Sequence, residues 1–211
     1  MYSDACPTFA ATGKRPKMVF DAPDVAARMA RLHGARSVQL LLASSMRFDI
    51  ATLVKQELGP LLARTARLAD EVILWSALPT TTSRQLDCLT RGPDALRGPV
   101  ASEREPDAIR GRTVETIRRV KIGSRDVYKL DVCEAKIREA ASEALAAVPA
   151  VAKTLADVIA RHAETLAPRT LLFVTGDHGF TIDRAGVARQ GGSSPEEVLV
   201  GAFAMLVGDV H

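Results

Sequence analysis

Four continuous apolar runs constrain this chain more than any other feature: SVQLLLA (Ser37–Ala43), EVILW (Glu71–Trp75), LLFVTG (Leu171–Gly176) and VLVGAFAMLVG (Val198–Gly208). Each is bounded by turn-forming or charged residues. Uninterrupted apolar runs of this length read as strands buried on both sheet faces. The segments between them carry helical signals. DAPDVAARMARLHG opens on Asp21 and closes at Gly34, as a capped helix does. From Phe48 onward, Ile50, Leu53, Val54, Leu58, Leu61 and Leu62 recur at helical spacing, and Gly59-Pro60 predicts a kink or a split. Strands alternating with helices specify an α/β fold, a mostly parallel sheet covered by helices on both faces.

The rest of the chain fits the same plan. ALPTTTSRQLDCLTRG reads as a loop entering a short helix, with Leu86 and Leu89 on one face and Gly92 as the stop. Residues 93–113 combine prolines, glycines and dense charge, which predicts a surface loop or mobile flap. The stretch from Thr113 to Asp131 has no clear period. Two alanine-rich helices are expected over 134–147 and 149–166, and FTIDRAGVARQ has the signature of a hairpin turning near Arg184-Ala185-Gly186. Residues 1–20, with Pro7, Gly13 and Pro16, read as an irregular tail. Residues 21–211 read as a single domain, for which 211 residues at 47% hydrophobic content supply one core.

Composition narrows the function classes. A net charge of +3, with no basic run interleaved with aromatics, gives no nucleic-acid footprint. Cys6, Cys88 and Cys133 are odd in number and far apart, which argues against a zinc knuckle and a disulfide framework and suits a reducing cytoplasm. No apolar run precedes Lys14 and none reaches about 18 residues, so neither an export signal nor a membrane span is expected.

In α/β sheets, ligands bind beyond the carboxyl ends of the strands. Those ends deliver SSMRFD, ALPTTTS and TGDHGF. A carboxylate and an imidazole side by side, Asp177-His178, suit a divalent metal such as zinc, and a threonine hydroxyl beside them can serve as a nucleophile. Structural readings stand beside these. Asp177-His178 can cap a turn, Thr80–Thr82 can cap the following helix, and Glu196 and Glu197 fit an element boundary.

The order S-M-R-F-D, L-P-T-T-T, T-G-D-H-G-F and then G-G-S-S-P-E-E-V-L-V resembles the alkaline phosphatase superfamily, and within it the PglZ-type domains. The likeness covers most of residues 37–205. It implies an alkaline-phosphatase-like core in which two metal ions flank a Ser or Thr nucleophile that hydrolyses phosphate or related esters through a covalent phospho-residue. By position, Thr82 matches the nucleophile, with Thr81 the nearest alternative, and Asp177 and His178 match two ligands of the adjacent metal. Ser44 stands where the family pattern V-D-S-M-R carries an aspartate. Gln190 stands where a histidine of the second metal is expected, and Asp131 in KLDVCEAK is a remnant of that second set. Gly201 falls where the family usually turns into its last strand with Val-Pro. Arg47 is the candidate for substrate contact, although an ion pair with Asp49 at a helix start is the stronger reading. The implied cofactor is a divalent metal, zinc or else manganese. The implied partners are a phosphate ester and, because PglZ-type domains occur within longer chains of bacterial phage-defence systems, another protein. Two functions follow from the departures at Ser44 and Gln190: a metal-dependent phosphatase with a reduced site, or an inactive relative that serves as a binding or scaffolding module.

Overall fold

The computed structural model describes residues 1–11, 14–99 and 114–208. The flap expected over 93–113 therefore falls mostly outside the described residues. Its beginning, Gly92–Arg97, forms a 3-10 turn with Ala95 and Leu96 buried. In chain order the elements are α1 (Tyr2–Ala5), α2 (Ala22–Leu32), β1 (Ser37–Ala43), α3 (Phe48–Leu62), β2 (Ala66–Trp75), α4 (Thr82–Arg91), β3 (Arg118–Ile122), β4 (Arg125–Leu130), α5 (Val132–Glu139), α6 (Ala144–Glu164), β5 (Thr170–Gly176), β6 (Thr181–Ile182), β7 (Ala188–Arg189), α7 (Pro195–Val198) and β8 (Leu199–Val207).

A 6-stranded sheet in the order β2-β8-β5-β1-β4-β3 forms the centre. Period-two alternation divides its side chains between two cores. Leu41, Leu172, Val174, Phe203 and Met205 meet α3, α5 and α6 on one face. Leu40, Leu42, Leu171, Phe173 and Ala204 meet α2, α4 and the N-terminal segment on the other. The expected α/β layering, helices on both faces, is therefore present.

Pairing differs from the expectation of a mostly parallel sheet. β1 is parallel to both β4 and β5, whereas β8 runs antiparallel to β5 and to β2, and β3 antiparallel to β4. The sheet is mixed because the chain from β5 to β8 has no crossover helix. It passes through the β6–β7 hairpin and α7 and re-enters from the end at which β5 left.

Three further readings change. The segment expected to be an irregular tail instead holds α1 and a 3-10 turn over Cys6–Ala10, and Met18, Val19 and Phe20 are buried. α3 continues unbroken through Pro60, which lies in its last turn. The stretch without a clear period contains the β3–β4 hairpin, which turns at Gly123 with a positive φ. The hairpin expected near Arg184–Gly186 forms as β6–β7.

Candidate functional site

Register assembles the site. Ala43 pairs with Leu130 on one side and Gly176 on the other, so the next residues of β1, β4 and β5 bring Ser44, Asp131 and Asp177 to one edge of the sheet. Ser45 adopts a positive φ of 61°, and its N–H donates to Asp177 Oδ1 at 2.8 Å. The His178 N–H donates to the same oxygen, also at 2.8 Å. With Oδ1 held by two backbone donors, Asp177 offers Oδ2 to the Thr82 hydroxyl at 2.7 Å. His178 Nε2 lies 3.2 Å from that hydroxyl, and Nδ1 faces the Gly179 carbonyl at 2.8 Å. Both Asp177 and His178 are fully buried.

The threonine loop is fixed from several directions. Thr81 is the N-cap of α4, its side chain accepting from the Arg84 N–H, so its role is helix capping while Thr82 alone meets Asp177 and His178. Thr80 Oγ1 donates to the Gly192 carbonyl at 2.9 Å and accepts from the Gly191 N–H at 3.1 Å. Gly191 has φ +101°, a conformation that other residues rarely adopt. The buried Gln85 amide bonds both backbone groups of Ala77, tying the loop to α4. Glu197 is itself buried and accepts from Gly192 and Ser194 N–H groups at 2.8 and 3.2 Å, the boundary role read from the sequence.

Counting protons at Thr82 exposes an imbalance. The Nδ1 contact with the Gly179 carbonyl requires a proton on Nδ1, which leaves Nε2 of a neutral imidazole as an acceptor. Asp177 Oδ2 is also an acceptor, and the threonine carries one proton for both. The two acceptors therefore compete for that one proton. The donor set, a carboxylate oxygen, an imidazole nitrogen and a hydroxyl, suits a single divalent ion such as zinc.

The second metal position does not fit. Asp131 is ion-paired with Lys129 at 2.9 Å and with Arg118, and it accepts from Ser44 Oγ at 2.9 Å. Burial on its own would raise the Asp131 carboxyl, but Lys129, the Ser44 hydrogen bond and Arg118 outweigh it and hold the group below the usual carboxylate range. Two side-chain cations thus already neutralise the residue expected as a metal remnant, and Ser44 is spent on it rather than turned to Thr82. Among the described residues no group of three or more His, Cys, Asp or Glu side chains is arranged to hold a metal. Arg47 is likewise committed, with two 2.6 Å bonds to Asp49, a 3.2 Å bond to the Phe180 carbonyl and its guanidinium 4.7 Å from the Phe180 ring centre. The local ion pair with Asp49 is its observed contact. Gly201 packs against Ala51 and Phe48 of α3, where a side chain would collide with the Ala51 methyl.

Sequence reasoning missed Ser45, Lys129 and Glu134. Ser45 matters through its backbone conformation, and Lys129 through its register beside Asp131; neither is a motif. Glu134 lies on the first turn of α5, where burial and then the charge of Asp177 raise its carboxyl. Its spacing three residues after Asp131 places both near the start of that helix, the one signal that was readable. The cysteines are free and buried, in keeping with the absence of a disulfide framework. Among the described residues no helix is long and apolar enough to cross a membrane. No protein-family model matches the chain, and no curated protein matches it.

Proposed function

We propose that the chain is a phosphate-ester hydrolase of the PglZ type, with an alkaline-phosphatase-like core and Thr82 as its nucleophile. The observation that carries this reading is the position of the Thr82 hydroxyl, 2.7 Å from Asp177 Oδ2 and 3.2 Å from His178 Nε2 at the start of α4. Thr82 Oγ attacks phosphorus and its proton passes to solvent water. The ester P–O bond breaks, the alcohol leaves with a proton, and phosphate remains on Thr82. Water then attacks the same phosphorus, returning the hydroxyl and releasing inorganic phosphate. The N-terminal turn of α4 supplies N–H groups and the positive end of its dipole to the phosphoryl oxygens. Asp177, His178 and Thr82 would hold a divalent ion, zinc or manganese, which supplies Lewis-acid stabilisation of the threonine alkoxide. The cytoplasm is the setting that suits this chemistry and the free thiols, and another protein is the proposed partner.

The test is hydrolysis of p-nitrophenyl phosphate by metal-stripped protein supplied with zinc or manganese, followed by acid quenching and mass spectrometry of the Thr82 peptide. We expect phosphate on Thr82 and a loss of turnover of at least ~1000-fold in Thr82→Ala. Equal turnover by Thr82→Ala, or no modified Thr82 during turnover, overturns the assignment. A second reading, an inactive binding or scaffolding module, draws on the neutralised Asp131. It is favoured if the parent binds neither ion in calorimetry while Ser44→Asp binds one.

A further inference from the structure

A cavity of about 290 Å³ opens between α5 and the β6–β7 hairpin, with Ser45 on its wall. Its volume is at the lower end for ligand pockets, about 300–1,000 Å³. It shares that wall with the Thr82 centre, because the N–H of Ser45 is a donor to Asp177 and Phe180, which also lines it, follows His178 by two residues. The Ser45 hydroxyl is buried, the residue being 3% exposed, and has no hydrogen-bond partner. A buried hydroxyl without a partner leaves a hydrogen bond unmade, so it marks a place for a polar ligand group.

The charges on the walls define what that ligand is. Arg138 is bound to Glu134 at 2.7 Å, and Arg189 to Asp183 at 2.9 Å. Each arginine is therefore paired, and Glu134 adds a carboxylate to the lining, which disfavours a second anionic group. Ile137, Phe180 and Val187 add apolar surface. An acceptor carboxylate and a free hydroxyl beside an apolar wall suit a compact group with both hydroxyls and C–H faces.

We propose that this cavity is the subsite for the organic half of the substrate and takes a neutral, hydroxyl-bearing ring of sugar size. Ser45 Oγ and the Glu134 carboxyl bond its hydroxyls, and Ile137, Phe180 and Val187 pack on its C–H face. This rests on the reading of Thr82, Asp177 and His178 as the centre that handles the phosphoryl group.

The experiment is calorimetric binding of two non-hydrolysable probes with the same anion, a hexose phosphonate and methylphosphonate, with phenylphosphonate as the apolar ring control. In the parent protein we expect the hexose probe to bind about tenfold or more tightly than either control, as one or two added hydrogen bonds give. Ser45→Ala and, independently, the cavity-filling Ala188→Trp should bring the ratio of hexose to methyl affinity toward one, with unfolding midpoints confirming that both variants are folded. Equal affinities in the parent, binding of none of the probes, a phenyl probe as tight as the hexose one, or a ratio that survives both substitutions overturns the proposal. A preserved ratio without any ester turnover removes the catalytic reading and leaves the subsite standing. Turnover without a ratio removes the subsite alone.

Discussion

Asp131 carries a full negative charge among Lys129, Arg118 and Ser44, and its environment makes a prediction at the scale of one side chain. Lys129 is nearly buried, so Lys129→Met should cost roughly 1–3 kcal/mol at pH 7, as removal of a charged hydrogen-bond partner does. The folded-state pKa of Asp131 is depressed, so its stabilisation is complete above the ordinary carboxylate value of about 3.9 and is lost as the pH falls through the lower folded value. Denaturant midpoints of parent and variant should therefore converge below about pH 4 and stay apart above it. A gap that is constant across pH would show that the cost is packing alone. At this scale the legible part of the site was contiguous in sequence. Asp177, His178 and Thr82 sit in short motifs next to strand ends, and the fold brings all three together. The fate of Ser44 and Asp131 was not legible, because Lys129 reaches Asp131 only through its place in β4 and Arg118 only through pairing of β3 with β4.

Among the elements, the tightest junction is between β5 and α7. A Cβ on Gly179 would fall on the Glu196 carbonyl oxygen and against the Arg47 side chain, while the Gly179 carbonyl is the acceptor that orients His178. Gly179→Ala should lose about 1–3 kcal/mol in denaturant unfolding, the usual cost of overpacking. It should also weaken zinc binding, if zinc binds the parent, because His178 loses its anchor. An unchanged unfolding midpoint would mean that α7 yields at no cost. The buried strands β1 and β5 were readable almost to their ends because both of their faces need apolar residues. The outer strands were not. β2 begins at Ala66 rather than Glu71, and β3 lacks an apolar run, since an edge strand is half exposed and takes charged residues without penalty. Pro60 shows the same limit, since Gly59-Pro60 reads locally as a break and yet lies inside α3.

For the whole molecule, the first 20 residues are the test. Cys6, Met18, Val19 and Phe20 belong to one of the two cores, Tyr2 donates to the Ser76 carbonyl and packs on Trp75, and Met18 bridges to Trp75. A chain beginning at Asp21 should lose more than about 4 kcal/mol, because several large buried side chains go at once. A thermal midpoint that does not move would show that this segment adds no net stability. The sequence by itself determined the α/β class, the buried strands, most helices and the neighbours Asp177 and His178, since each depends on local periodicity or on adjacent residues. Only the tertiary structure decided the antiparallel return of β8, the packing of the N-terminal segment, the pairing of Asp131 with two cations and the cavity beside Ser45. Those depend on which distant segments meet, and a polar or irregular stretch carries no local pattern that names its partner.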